Sequence, residues 1–501
     1  MRCVPARTML AVLLLLAACV PGGAAAGPAL SVPRRHPDLA TPPTTKPPGL
    51  VPTPPQGWMS WNHFRCGTDP ASPDAISLAL INATAAGLVS GGFAAAGYTT
   101  LAVDDCWQAR ALDAATGAVA ADPARFPGGL PALGAAIRGF GLRFGLYGDV
   151  GPTTCGGFPG NGGHFGEDAA AMAAAGVDFF KADGCNAAPA DLPALYASLS
   201  AALASSGRLI TLSCSWPAYL PDARAVRAAR HSAHPLPPIP YRALASNCHL
   251  WRNWRDVDTD PASIASIASY WAFAAAHSPG FEAAPRPGAW HDPDELLVGE
   301  PAVPYAWQAA QFALWCAWGA PLFLSADVRG GGGWPGWPPG SRALALHAEL
   351  IAVNQRGAGP ARLLRVVGRA GAGSHHHPHA LQAWARPLEG GAVAVVAAKL
   401  SGRGARQACV SVGQIVRTAG RVWGAALAAG GEGSANATVA APAAATALCW
   451  RPVSLAPRAR PVTAYASWTD ETFFPHRATG RLCLGVPDAG AAAVVVGRPC
   501  G

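Results

Sequence analysis

From Gln56 to about residue 354 the chain repeats one rhythm. A short apolar run is followed by a longer, alanine-rich stretch. The apolar runs are GWMSWN, TTLAVDD, RFGLYGD, DFFKAD, LITLSCS, HLWRNW, GAWHD and APLFLSAD. Helical stretches between them include Ala75 to Ala96, Gly128 to Phe140, Glu167 to Gly176 and Leu192 to Ser206, then Pro261 to Ala276 and Tyr305 to Trp318. Strands separated by helices pair in parallel, and eight such units predict an α/β protein built on a (β/α)8 TIM barrel. A doubly wound sheet is the competing arrangement, and it would be larger than usual.

The runs are apolar where they begin and gain Asp, Lys, Ser or Arg where they end. In a barrel those ends surround the mouth where chemistry is done. Solvated turns account for part of this polarity, but a purely structural barrel has no reason to gather it on one rim.

The stretch FFKADGCN, Phe179 to Asn186, shows the pattern most sharply. Alternate side chains of a strand share a face. Phe179, Lys181 and Asp183 therefore point one way, and Phe180 and Ala182 the other. With the latter pair against the helices, Lys181 and Asp183 stand inside the mouth. A neighbouring ammonium favours an ionised Asp183, which suits a nucleophile. A buried ion pair is the bland alternative, and a poor source of stability. LWRNWRDVDTD supplies further acids: Asp256, then Asp258, and Asp260 as a cap for the helix from Pro261. Asp104 and Asp105 in AVDDCW end another strand, and ionised carboxylates accept hydrogen bonds from sugar hydroxyls. Trp58, Trp61, Trp107 and Trp216 lie beside these groups and could offer flat faces to a sugar ring, although each singly is more often core.

Composition bounds the rest. The chain has 501 residues, 50% of them hydrophobic, enough for one large domain and a smaller one. Its net charge of +8 is scattered, which argues against a nucleic-acid partner. Arg2 and Arg7 precede an apolar run from Met9 to Val20 and small residues to Ala26, so residues 1–26 read as a secretory signal peptide. Leu16 to Cys19 would also pass for a lipoprotein cleavage site. No later segment is apolar for long enough to span a bilayer. Residues 27–53 form a proline-rich linker, and 54–357 the catalytic barrel. Residues 358–452 alternate like an antiparallel β-sandwich.

The tail, 453–501, faintly resembles one ricin-type sugar-binding repeat, in which Cys483 and Cys500 could pair; a truncated appendage is the alternative. Of thirteen cysteines, two fall in the signal, and the odd remainder implies a free thiol, for which Cys316 in ALWCAW is the candidate. Asn82-Ala83-Thr84 and Asn436-Ala437-Thr438 are glycosylation acceptors if the host glycosylates. HHHPH at 375–379 lacks the spaced ligands of a metal site.

WMSWNHFRC, VDDCW, GLYGDVGPTTCGGFPG, GVDFFKADGC, SCSWPAY, WRNWRDVD, WHDPDELLVG and APLFLSADVR stand in the order found in glycoside hydrolase family 27, which the chain resembles over about residues 54 to 450. That family includes the lysosomal-type α-galactosidases and α-N-acetylgalactosaminidases. The resemblance implies a retaining exo-glycosidase with Asp183 as nucleophile and Asp256 as acid/base. It implies that Asp104 and Asp105 hold the C4 and C6 hydroxyls, with Lys181 on the C3 and C4 side. Trp61, Tyr147, Tyr219, Arg252 and Asp294 fall in the pocket. It implies disulfides Cys66–Cys106, Cys155–Cys185 and Cys214–Cys248, and neither metal nor organic cofactor.

Ser215 and Ala218 stand where the resembling α-N-acetylgalactosaminidases have serine and alanine and the α-galactosidases have glutamate and leucine. The smaller pair leaves room for a 2-acetamido group. Two small residues in an alanine-rich chain could also mean little, with α-galactosidase as the main activity. His291 and Glu295 depart from the asparagine and methionine usual near the pocket. The loop at 219–246 is longer than in the animal enzymes. Partners implied are oligosaccharides, glycolipids or glycoprotein glycans ending in α-galactosyl-type residues, with a homodimer left open. The compartment is extracellular, or a lysosome or vacuole. A non-catalytic sugar-binding protein is the rival class; it could dispense with Asp183 or Asp256, and both are present.

Overall fold

The computed structural model describes residues 46–220, 239–330, 336–364, 367–368, 381–400, 406–411, 415, 447–453, 455, 474–477, 481–486 and 491–499. All lie within one compact unit, Thr41–Gly501. Eight strands form a parallel sheet: β1 (Gln56–Met59), β2 (Thr100–Val103), β3 (Arg143–Asp149), β4 (Phe179–Asp183), β5 (Thr211–Cys214), β6 (Leu250–Arg252), β7 (Trp290–Asp292) and β8 (Leu322–Leu324). Their order is β8-β1-β2-β3-β4-β5-β6-β7.

The sheet curls upon itself. Leu296, just past β7, bridges in parallel to Leu324 of β8, and its N–H donates to the Phe323 carbonyl at 2.7 Å. Met59, Ala102, Phe179, Leu250 and Phe323, from five different strands, meet in one buried cluster. Phe179 and Phe323 come within 5.1 Å between ring centroids, although three strands lie between theirs in the sheet. Such a layer forms when strands face each other across an enclosed interior, consistent with a (β/α)8 barrel. The alternate residues Phe180 and Ala182 join the outer core beneath the helices, as the period of two requires.

The helix Pro261–His277 is capped by Asp260, whose carboxylate accepts from the Ser263 N–H at 2.9 Å. The end of the proline-rich stretch is anchored rather than free. Lys46 donates to the carbonyls of Cys248 and Gly288 at 2.9 and 2.6 Å, at the N-terminal ends of β6 and β7.

Beyond the barrel, Leu381–Pro387 and Val393–Lys399 pair antiparallel. Their residues alternate between two cores. Ala394, Val396 and Ala398 pack with the barrel's helices, and Val393, Val395 and Ala397 with Val410, Leu482, Leu484 and Val486. Val410, Leu482, Leu484 and Val486 belong to strands of a separate three-stranded sheet, so two antiparallel sheets share this second core, consistent with a sandwich.

The tail departs from the expectation of an appended sugar-binding repeat. Ala491–Pro499 pairs with both Val393–Lys399 and Ala447–Val453, and Arg481–Val486 pairs with Arg406–Ser411. These segments complete the two sheets. Most of the 219–246 loop, the HHHPH run, Asn436 and Cys500 lie outside the described residues.

Candidate active site

The strand ends bring the acidic side chains together, and three disulfides brace the loops that follow: Cys66–Cys106, Cys155–Cys185 and Cys214–Cys248. These are the pairs the resemblance implies. Cys316 is a free, buried cysteine whose thiol burial pushes well above its ordinary range.

Asp183 ends β4 and is half-buried. Ser215, one residue past β5, donates its hydroxyl to Asp183 Oδ1, while its own N–H donates to the Tyr196 hydroxyl at 3.1 Å. Lys181 lies one alternation back on the same face, buried, with Nζ 2.8 Å from Asp104 Oδ2 and 5.4 Å from the centre of the Tyr147 ring. Its direct partner is thus Asp104, two strands away, with Asp183 within its field. Burial lowers the Lys181 ammonium, but Asp104, Asp183, Asp294 and Glu295 together hold it well above its ordinary range.

Asp104 is fixed by its N–H, which donates to Ser60 Oγ at 2.9 Å. Burial pushes its carboxyl up to about 6 against the pull of Lys181. Asp105 Oδ2 accepts the Gly156 N–H at 2.7 Å, which ties the β2 end to the loop after β3. The Tyr147 hydroxyl lies 3.3 Å from Cys155 Sγ. The Tyr219 hydroxyl accepts the Gly184 N–H at 3.2 Å, beside the Asp183 strand end. Ala218 is half-buried on the same short turn as Trp216 and Tyr219.

A second ion cluster forms around buried Arg252, the last residue of β6. One guanidinium nitrogen reaches Asp256 at 2.9 Å and Asp294 at 2.8 Å. Asp294 sits at φ 86°, and its carboxylate also accepts the Val257 N–H at 2.8 Å. That backbone is uncommon for a residue with a Cβ and marks a constrained loop. The Asp256 side chain is 73% exposed. Loss of solvent in the cleft works to raise its carboxyl, but Arg252, Lys181 and Arg65 outweigh this and hold it below the ordinary range. Arg252 and Tyr219 each stand in the field of both Asp183 and Asp256.

Some expected groups fall elsewhere. Trp58, Trp107 and Trp216 are buried in the main core, and Trp58 and Trp107 spend their indole N–H groups on the carbonyls of Ala326 and Tyr147. Trp61 alone of the four is half-buried. His291 is not near the pocket. It points outward from β7 among Tyr241, Trp271 and Phe281, because Asp292 takes the inward position. Its Nδ1 accepts from Trp251 at 2.7 Å and Asn253 at 2.8 Å, while Nε2 donates to the Phe281 carbonyl at 2.8 Å.

Three acids escape the sequence reading of the site: buried Asp149, half-buried Asp292 and, as a buried carboxyl, Glu295. Burial pushes Asp149 and Glu295 up to about 8 and Asp292 up to about 6. Asp149 lies opposite Asp183 in the strand register, a neighbour that only the pairing reveals.

These shifts set the pH dependence of stability. A carboxyl raised on folding stabilises below its unfolded value, and that gain is lost as pH rises through the folded value. Asp104 and Asp292 lose theirs by about 6, and Asp149 and Glu295 theirs by about 8. His249 and His291, buried and lowered to about 4, act oppositely, adding stability as pH rises from there to the ordinary histidine range. As pH rises to about 6 the four acids lose more than the two histidines gain, and above the histidine range the loss through Asp149 and Glu295 continues alone. Thermal stability is therefore expected to decline from mildly acidic pH and to fall by roughly 3 °C or more between about pH 6.5 and pH 8. Melting curves across this range check it; a Tm still rising at pH 8 contradicts it.

The arrangement defines a class. Carboxylates able to hold hydroxyls stand beside carboxylates able to attack and protonate a glycosidic bond, all at the C-terminal ends of parallel strands, and the protein is a glycoside hydrolase. A family model described as Alpha galactosidase A matches residues 53–356, and the chain belongs to that family, glycoside hydrolase family 27. It is 37% identical to human alpha-galactosidase A over 310 residues, 61% of this chain and 67% of that one. It is 38% identical to human alpha-N-acetylgalactosaminidase over 285 residues, 56% of this chain and 65% of that one. The chain thus spans about two thirds of the length of these relatives. In fold it is similar to the alpha-galactosidase of Saccharomyces cerevisiae solved with raffinose, with a TM-score of 0.68 and 22% identity over 91% of this chain and 100% of that one. Three disulfides fit an oxidising compartment, and no helix among the described residues is long and apolar enough to cross a membrane.

Proposed function

We propose that this protein is a retaining, exo-acting α-glycosidase that removes terminal α-linked N-acetylgalactosamine, and galactose more weakly, from oligosaccharides or glycoconjugates. The carrying observation is the setting of Asp183. It ends a barrel strand, receives the Ser215 hydroxyl, and lies one alternation from the Lys181–Asp104 pair.

An Asp183 oxygen attacks C1 while Asp256 gives its proton to the departing glycosidic oxygen, whose bond to C1 breaks. The covalent glycosyl-enzyme is then opened by water, whose proton returns to Asp256, and the sugar leaves with its α configuration kept. Retaining pairs stand roughly 5–5.5 Å apart, close enough for direct attack. Arg252 favours ionised Asp256, the form the second step requires. No step requires a metal or organic cofactor.

The preference at C2 rests on Ser215 and Ala218. Both are small, and they border one turn beside the nucleophile. The Ser215 hydrogen is committed to Asp183, so its oxygen presents lone pairs, able to accept the N–H of an acetamido group.

We expect p-nitrophenyl α-N-acetylgalactosaminide to be cleaved with the higher kcat/KM. Ser215→Glu with Ala218→Leu is expected to lower that value by about 100-fold through crowding of the acetyl methyl. Negligible cleavage of the acetamido substrate by the parent refutes this preference. It would leave α-galactosidase as the main activity, a second reading favoured by the description of the matching family model.

A further inference from the structure

Glu295 lies where the ring of strands closes. It directly precedes Leu296, whose bridge joins the β7 side to β8. Its carboxyl is buried, and Oε2 accepts from the Asn62 N–H at 3.2 Å and the Asn62 side-chain amide at 2.9 Å. Ser325, one residue past β8, bonds the same carboxyl and also accepts the Asn62 N–H at 2.9 Å. The ends of β7, β8 and β1 are thus stitched through one acid. Its other oxygen, Oε1, is buried with no hydrogen-bond partner among the described residues.

An ionised carboxylate with an unanswered buried oxygen is costly, and a proton on the group relieves the cost. The charged groups facing it are Asp294 on its own loop, Lys181 from β4 and Asp104 from β2. Its contacts from the β1 and β8 ends, Asn62 and Ser325, are uncharged, as is Gln311 of the helix Tyr305–Trp318, which donates to the Glu295 carbonyl at 3.0 Å. Two of the three charges are acids that resist ionisation of Glu295, and the third is the ammonium proposed to bind sugar.

We infer that Glu295 is a positioning residue for Lys181: uncharged, it leaves the ammonium committed to Asp104 and to the sugar hydroxyls; ionised, it competes for that ammonium and loosens the sugar. The inference rests on the proposed role of Lys181 in sugar binding. Burial, with Asp294 as the next contributor, pushes the carboxyl up to about 8, so the change falls at mildly alkaline pH.

The test is calorimetric titration of the intact protein with galactose and with N-acetylgalactosamine from pH 6 to 9, which reads binding without turnover. The parent is expected to bind about fivefold or more weakly at pH 9 than at pH 6, and Glu295→Gln to vary by less than about twofold. Glu295→Met, which also cannot ionise, must flatten the profile as well and serves if the glutamine variant does not fold. A parent with no weakening, or a weakening that persists in a folded variant even as its Tm falls, overturns the inference alone. Absence of binding of either sugar at every pH overturns the proposed function, and the inference with it.

Discussion

Asp183→Asn is expected to fold as the parent does and to lose at least about a thousandfold in kcat, the scale set by removing a covalent nucleophile. The fold should survive because Asp183 is only half-buried and its carboxylate accepts no backbone hydrogen bond among the described residues. An asparagine carbonyl still accepts the Ser215 hydroxyl. The Asp183 charge also helps push Asp104, Asp105 and Asp149 upward, so neutralising it relieves repulsion in the cleft. Tm should stay level or rise while turnover of a p-nitrophenyl glycoside vanishes. A folded variant with more than about a tenth of parental activity removes Asp183 from the role.

The largest expected loss of stability lies outside the cleft. Arg386, on the strand Leu381–Pro387, is fully buried against the ends of two helices. Its guanidinium donates to the carbonyl of Asn354 at 3.0 Å and approaches that of Ala317 at 3.5 Å, near the C-terminal ends of the helices Ala348–Gln355 and Tyr305–Trp318. No carboxylate bonds it among the described residues; the partial negative charge of two helix ends stands in for one. Burial pulls it down to about 10, which leaves it charged at neutral pH. Gly319 and Gly357 make the room, since a Cβ at either would collide with the guanidinium. Arg386→Ala removes the donors and opens a cavity, and is expected to cost about 3 kcal/mol or more in denaturant unfolding. Arg386→Met refills most of the volume without the donors, and should recover only part. A loss under about 1 kcal/mol for the alanine variant contradicts this account.

The barrel was legible because its signal is local. Each strand is a short apolar run with a polar end, and the period of two placed Lys181 and Asp183 on the inner face and Phe180 and Ala182 on the outer. That period could not say which neighbour Lys181 meets: Asp104 lies 77 residues earlier, and only the sheet order brings it within reach. The same limit hid Asp149, which becomes a neighbour of Asp183 through register. The period could have placed His291 outward, once Asp292 was assigned inward. Trp58, Trp107 and Trp216 sit beside site residues in sequence but turn into the core. The tail misled because a β-rich run carries no mark of its partner, and the strand that Ala491–Pro499 joins begins about 100 residues earlier. Arg386 gave no signal, since the helix ends that receive it are assembled by packing.

The central claim is a covalent bond between sugar and Asp183. Incubation with an activated fluorinated α-galactosyl or α-N-acetylgalactosaminyl donor, followed by peptide mass spectrometry, tests it most directly. The account predicts one sugar added to the peptide containing FFKADGCN, at Asp183, in step with loss of activity. Inactivation with the sugar on another residue, or turnover of the donor to a β-configured product with no adduct, would contradict it.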